Sequence, residues 1–259
     1  MRIKQAVCVP PLRLAEISLE DFIKACADIG FPAVEMWDRG DEFEQVLALA
    51  PRYGLAIVSI LGFLSAEEGL NKRANHGRLE EELKGSIDVA GDNGIRGIVA
   101  FSGNRYAGVS DEEAIEITAD GLKRIASHAE EKGVYVNLEL LNSKVDHLGY
   151  QCDRTAWGVA VVERVNSPRV RLLYDIYHMQ IMEGDVIRTI RDNIEWIAHF
   201  HTAGNPGRYE MSDDQELNYT GICRAIAATG YDGYVGHEFK GRGDVIAVLK
   251  DTFARCDQC

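Results

Sequence analysis

Eight short apolar runs recur along the chain, each followed by a longer amphipathic stretch: Ile3 to Val9, Ala33 to Trp37, Ala56 to Leu61, Gly97 to Phe101, Val134 to Leu140, Val170 to Ile176, Trp196 to His201 and Tyr234 to Phe239. Runs of this length predict buried strands, and the stretches between them predict helices. Several helix ends are marked in the sequence. Ser18 with Asp21 resembles a capping box, and Gly30 can supply the left-handed residue that closes the same segment. Asp41 to Tyr53 is closed by Gly54, and Ser110 to Lys132 by Gly133. The 259 residues divide into units averaging about 32 residues, which fits an α/β fold with a single (β/α)8 TIM barrel over residues 1–259.

A doubly wound open sheet is the competing architecture. It usually carries a glycine-rich phosphate turn after its first strand, where this chain has Val9-Pro10-Pro11-Leu12-Arg13. Neither GxGxxG nor GxxxxGK[ST] occurs, so nucleotide cofactors have no support. The chain shows no low-complexity tract and no short solenoid repeat.

A barrel brings the C-terminal ends of its strands to one rim, and the last four runs end on or next to Glu139, Asp175, His201 and Glu238. These are 36, 26 and 37 residues apart, about one strand-helix-strand step each. Taken singly, each is an ordinary surface or loop residue. Together they are hard to explain as packing, because unpaired charges beside a core cost several kcal/mol. Three carboxylates and one imidazole form a divalent-cation donor set, with hard oxygens that suit Mn²⁺ or Mg²⁺.

Composition narrows the setting. Hydrophobic residues make up 46% and the six prolines are spread out, so no linker is visible and one domain is expected. A formal charge of -13 repels polyanions, which argues against nucleic acid or an acidic membrane as a partner. The N-terminal ten residues are basic without a long apolar stretch and read as a first strand, and no run approaches the roughly 18 apolar residues of a membrane span. Six cysteines do not make a dense disulfide framework, so a reduced, cytoplasmic setting is expected. The CxxC at Cys256 to Cys259 then reads as incidental, and the glycosylation pattern Asn218-Tyr219-Thr220 as unused.

Several segments resemble a known family: Phe101-Ser102-Gly103-Asn104-Arg105, Asn137-Leu138-Glu139, Tyr174-Asp175-Ile176-Tyr177-His178-Met179-Gln180, Asn205-Pro206-Gly207-Arg208 and Glu238-Phe239-Lys240. They resemble the hydroxypyruvate isomerase group of the xylose-isomerase-like TIM barrels, relatives of ketose 3-epimerases and endonuclease IV. The resemblance spans essentially the whole chain. It implies that Glu139 and Glu238 are both metal ligands and the acid/base pair, that Asp175 and His201 complete the protein shell of one cation, and that the protein is a dimer or tetramer. Two positions depart from the isomerase pattern. His201 stands where isomerases often carry Gln and 3-epimerases carry His, and Gly241 stands where the isomerases tend to have proline. Both bear on the substrate, not on the fold.

The chemistry agrees with those roles. Moving a carbonyl to the adjacent carbon requires removal of a carbon-bound proton, which a cation makes more acidic and a carboxylate can take and return. His178, three residues after Asp175, can donate to a substrate carbonyl, and Arg208, after the turn Gly204 to Gly207, can grip a carboxylate or hydroxyl. Asn104 and Arg105 can line the mouth, and Glu35 and Lys240 can line the site or be paired there. His199 shares a strand face with His201, and Trp37 with Phe63 can form an apolar wall, while His76, His128 and His237 read as solvated or packed.

The leading expectation is a metal-dependent isomerase of a small carbohydrate or hydroxy acid, hydroxypyruvate to tartronate semialdehyde being the nearest family reaction. A ketose 3-epimerase is the rival. An endonuclease IV-like enzyme needs extra histidines for a zinc cluster, and Glu35-Met36-Trp37-Asp38 and Ile60-Leu61-Gly62-Phe63 supply none. A non-catalytic sugar-binding barrel is disfavoured by the presence of both glutamates and all four ligands.

Overall fold

A computed structural model describes residues 2–13, 17–40 and 42–257. The first residue of the segment read from Asp41, and Gln258 and Cys259 of the terminal CxxC, lie outside the described residues. Eight parallel strands close into a barrel in chain order. They are β1 (Lys4–Cys8), β2 (Ala33–Glu35), β3 (Ala56–Leu61), β4 (Gly97–Ala100), β5 (Tyr135–Glu139), β6 (Val170–Asp175), β7 (Ile197–Thr202) and β8 (Tyr234–His237). Each falls on one of the eight apolar runs, and helices connect them, as in a (β/α)8 barrel. Among the described residues no helix is long and apolar enough to cross a membrane.

By packing, the chain resolves into two compact units, residues 1–58 with 185–194 and 199–259, and residues 59–184 with 195–198. In the first, β1 lies between β2 and β8 with Ala6 aligned to Ala33 and to Gly236. Ala6, Ala33 and Val58 are buried together against Tyr234. The helices here are α1 (Val9–Leu12), α2 (Leu19–Ile29) and α3 (Phe43–Arg52). Ser18 caps α2 by accepting from the Asp21 amide at 3.1 Å, the arrangement its sequence predicts.

In the second unit the last three residues of β3 and all of β4 to β6 are accompanied by α4 (His76–Asp92), α5 (Asp111–Lys132) and α6 (Thr155–Val165). Helix α5 keeps both of its predicted ends. Ser110 accepts from the Glu113 amide at 3.2 Å, and Gly133 closes the helix at φ 71°, a conformation that disfavours a Cβ. Asp111, Glu112 and Glu113 occupy its first turn, where the helix dipole favours negative charge. The sequence pattern did not separate the short helix α7 (Ile176–Met182) from β6, because the apolar run continues through the junction. Helix α8 (Val186–Asn193) follows it, and α9 (Tyr219–Ala228) and α10 (Val245–Cys256) belong to the first unit.

Ser110→Ala should remove one capping hydrogen bond from α5 and lower unfolding stability by about 1 kcal/mol, with the site chemistry untouched. Urea titration of both proteins checks this. An unchanged midpoint would show that the cap contributes nothing measurable.

Candidate functional site

In the first unit the site is built around a buried carboxylate. Glu35 ends β2 and is 2% exposed. Strand alternation puts His199 and His201 on the same face of β7, and both reach Glu35: His199 Nε2 lies 3.1 Å from Oε1 and His201 Nε2 lies 3.1 Å from Oε2. Burial would raise the Glu35 pKa, but His199 first and His201 after it outweigh that and hold it well below the usual carboxylate range. The neighbouring strand leaves room for this contact. Gly236 is aligned with His201, and a Cβ there would stand 2.2 Å from Glu35 Oε1. Any side chain at 236 would displace the carboxylate.

Glu238 follows β8 by one residue and is 6% exposed. The Trp37 indole N–H donates to its Oε1 at 2.6 Å, Arg208 forms an ion pair with Oε2, and His201 Nδ1 lies 3.6 Å from Oε2. Burial acts to raise the Glu238 pKa, and the Arg208 charge, followed by His201, brings it below its ordinary value. Arg208 itself has φ 59° in the loop after β7, where its amide donates to Gly204 O at 3.0 Å and its carbonyl accepts from the Lys240 amide at 2.8 Å. The loop is thereby tied to the chain beyond β8.

In the second unit Glu139 ends β5 and Asp175 ends β6, 5% and 1% exposed. Asp175 also caps α7, accepting from the His178 amide at 3.2 Å. His178 is fully buried, with Nε2 3.7 Å from Asp175 Oδ2. Its other nitrogen, Nδ1, is 2.6 Å from Asn142 Nδ2. The Asn142 amide orientation is fixed because its Oδ1 accepts from the amides of Val145 and Asp146 at 2.9 Å each. Nδ2 is therefore the donor, Nδ1 of His178 the acceptor, and the His178 proton sits on Nε2 beside Asp175.

Two groups of buried residues each offer one ligand atom per residue within 4.8 Å of the others: Glu35, His199 and His201, and Glu139, Asp175, His201 and Glu238. The second contains all four ligands expected from the strand ends. Its donor chemistry fits a divalent cation: three buried carboxylates gathered so closely repel one another, and a cation relieves that cost. His178 is found against Asp175 and Arg208 against Glu238. Lys240 is exposed, and Phe63 packs edge-on against Phe101 with ring centroids 5.7 Å apart. Nothing in the local sequence distinguishes Asn142 from a loop residue, and a pattern that shows Trp37 as part of an apolar wall carries no sign of the indole N–H it gives to Glu238.

Behind β8, His237 is fully buried between Gln5 Oε1, at 2.9 Å from Nε2, and Thr202 Oγ1, at 2.8 Å from Nδ1. Burial pushes its pKa down to about 3.

Residues 23–258 match the model of a family described as xylose isomerase-like TIM barrel. The chain is 31% identical over 185 residues to the 2-oxo-tetronate isomerase of Cupriavidus necator, an alignment covering 60% of this chain and 70% of that one. It is 30% identical over 177 residues to the hydroxypyruvate isomerase of Escherichia coli, covering 67% and 68%. Among solved structures, an AP endonuclease of family 2 from Brucella melitensis superimposes with a TM-score of 0.85 at 24% identity, covering 97% of this chain and 98% of that one. At that identity the likeness is one of fold alone.

His237 gives this region a pH signature. The unfolded histidine takes up a proton near pH 6.5, whereas the native one stays neutral down to about 3, so stability is present above the unfolded pKa and is lost as pH falls below it. In metal-free protein the loss should reach at most about 1.4 kcal/mol per pH unit between pH 6.5 and 5. Urea unfolding of His237→Asn should show lower stability at pH 7 but a flatter dependence across that window. An equal slope in both proteins would assign it to other groups.

Proposed function

The chain belongs to the xylose isomerase-like TIM-barrel family, and on that premise we propose that it is a metal-dependent isomerase of a small hydroxy-carbonyl acid. The observation that carries this is the second buried group, in which Glu139, Asp175, His201 and Glu238 each bring a ligand atom within 4.8 Å of the others. The names of the two curated relatives support the reaction class, since both are isomerases of short oxo acids. Held by these four residues, a divalent cation such as Mn²⁺ or Mg²⁺ supplies the Lewis acidity that weakens the carbon-bound proton beside a carbonyl.

The chain's own groups carry the proton. Glu139 and Glu238 are the carboxylates of the set that take it from one carbon and return it to the next, as two bases or as one base acting twice. Asp175, already engaged by the His178 amide, serves as ligand. His178 offers Nε2–H to a substrate oxygen, and the planar fork of Arg208 offers a bidentate grip on the substrate carboxylate. In this reading the Arg208–Glu238 ion pair stands ready to be shared with an incoming acid, so that substrate binding and the state of one catalytic carboxylate are linked.

Metal analysis should find one divalent cation per wild-type chain and much less in Asp175→Ala. Equal full occupancy in both would remove the ligand assignment. Metal-loaded Glu139→Gln and Glu238→Gln should fold normally and each lose at least about a hundredfold in turnover of hydroxypyruvate or 2-oxo-tetronate. Near-normal turnover by either would defeat the two-glutamate mechanism. Product analysis separates the rival chemistry, because a 3-epimerase leaves the carbonyl in place and inverts a carbon.

Arg208→Lys keeps the charge but loses the planar fork. It should weaken binding of an acid substrate more than that of a neutral ketose, measured as the ratio of the two KM values. A ratio unchanged from wild type would show that Arg208 does not read the carboxylate.

A further inference from the structure

Glu35 is not among the four ligands proposed above, yet at 2% exposure it is more deeply buried than three of them and touches one of them directly. We infer that Glu35 is a positioning residue that fixes His201 as its Nε2–H tautomer and thereby presents Nδ1 of that ring as the ligand atom beside Glu238. The metal-facing half of this inference rests on the function proposed above; the tautomer half does not.

The argument starts from what a carboxylate can do. It has acceptor atoms and no donor, so a histidine nitrogen that hydrogen-bonds it must carry a proton. His201 Nε2 lies 3.1 Å from Glu35 Oε2 and His199 Nε2 lies 3.1 Å from Oε1, one oxygen for each ring. A neutral imidazole protonated on Nε2 has its lone pair on Nδ1. In His201 that atom is the one directed towards Glu238, 3.6 Å from Oε2. The two faces of one ring are therefore divided between a fixed acceptor and the proposed ligand set. Hydrogen bonding of a ligand histidine to a carboxylate also makes its other nitrogen a stronger donor to metal.

Two further features hold Glu35 to this task. His199 and His201 are two residues apart on β7 with ring centroids 5.1 Å apart at 80°, so a single carboxylate can engage both rings in different orientations. The carboxylate fits there because position 236 has no side chain: a Cβ on Gly236 would stand 2.2 Å from Glu35 Oε1 and 3.0 Å from His201 Cδ2. Burying a charged group at the end of β2 without partners would be costly, and His199 and His201 supply them.

The test compares wild type, Glu35→Gln and Glu35→Ala. The Gln amide preserves shape but offers one acceptor and one donor, so only one of the two histidines can keep a protonated Nε2 facing it; the Ala variant leaves neither an acceptor. In metal-free, ¹⁵N-histidine-labelled wild-type protein, the ring nitrogen shifts of His199 and His201 should report protonated Nε2 and unprotonated Nδ1. The Ala variant should show His201 as a tautomer mixture, and Mn²⁺ affinity by calorimetry should fall about 10- to 100-fold. Glu35→Gln should lose affinity to the extent that His201 loses its Nε2–H.

A protonated Nδ1 on His201 in wild type, or unchanged His201 shifts and Mn²⁺ affinity in both variants, would overturn the inference. So would binding of two Mn²⁺ per wild-type chain with one lost in Glu35→Gln, because Glu35 would then be a ligand of a second cation with His199 and His201. Wild-type protein that binds no Mn²⁺ but shows the expected shifts would refute the metal reading and the presentation of Nδ1 to it, while upholding the tautomer that Glu35 imposes.

Discussion

Burying a carboxylate without compensation is among the most expensive things a fold can do. Four carboxylates at or next to strand ends, Glu35, Glu139, Asp175 and Glu238, are each no more than 6% exposed. The surrounding structure is organised by the need to satisfy them. Two histidines from one strand face meet Glu35, an indole and a guanidinium meet Glu238, and the first turn of α7 meets Asp175. A polar group that exists to be charged fixes the rotamers and tautomers of its neighbours, and those neighbours then have little freedom left.

Parallel strand packing makes this possible at low cost in chain. Each strand of a (β/α)8 barrel ends on the same rim and passes directly into a loop, so a charged residue at that point is ordered by the ladder on one side and free to differ in chemistry on the other. Here β6 uses the junction twice, since Asp175 both ends the strand and caps the following helix. The loop after β7 is tied by backbone bonds from Arg208 to Gly204 and Lys240, and the Arg208 guanidinium pairs with Glu238. Gly236 does the converse job by leaving out an atom.

The helix ends, the eight strand positions and the placing of Glu139, Asp175, His201 and Glu238 at or near strand ends were legible in the sequence because each depends on local rules. Ser18 and Ser110 cap helices through atoms three residues away, and Gly133 closes α5 through its own dihedral angle. Apolar runs of strand length repeat at barrel spacing, and the charged residue that interrupts the end of a run is visible as an exception to it. Where the local rule was ambiguous, the boundary moved. β8 stops at His237 and leaves Glu238 outside, and the last residue of the run Val170 to Ile176 is already the first of α7.

The pairings of the site were decided by the tertiary structure. Trp37 and Glu238 are 201 residues apart, Glu35 and His199 164, and Asn142 and His178 36. No periodicity carries such information, because a hydrogen bond of this kind depends on strand register and ring orientation, which arise only when the sheet closes. The sequence by itself determined which residues could bear charge at the rim. The folded chain determined which nitrogen of each ring carries the proton, since that is set by the acceptor or donor packed against the opposite edge.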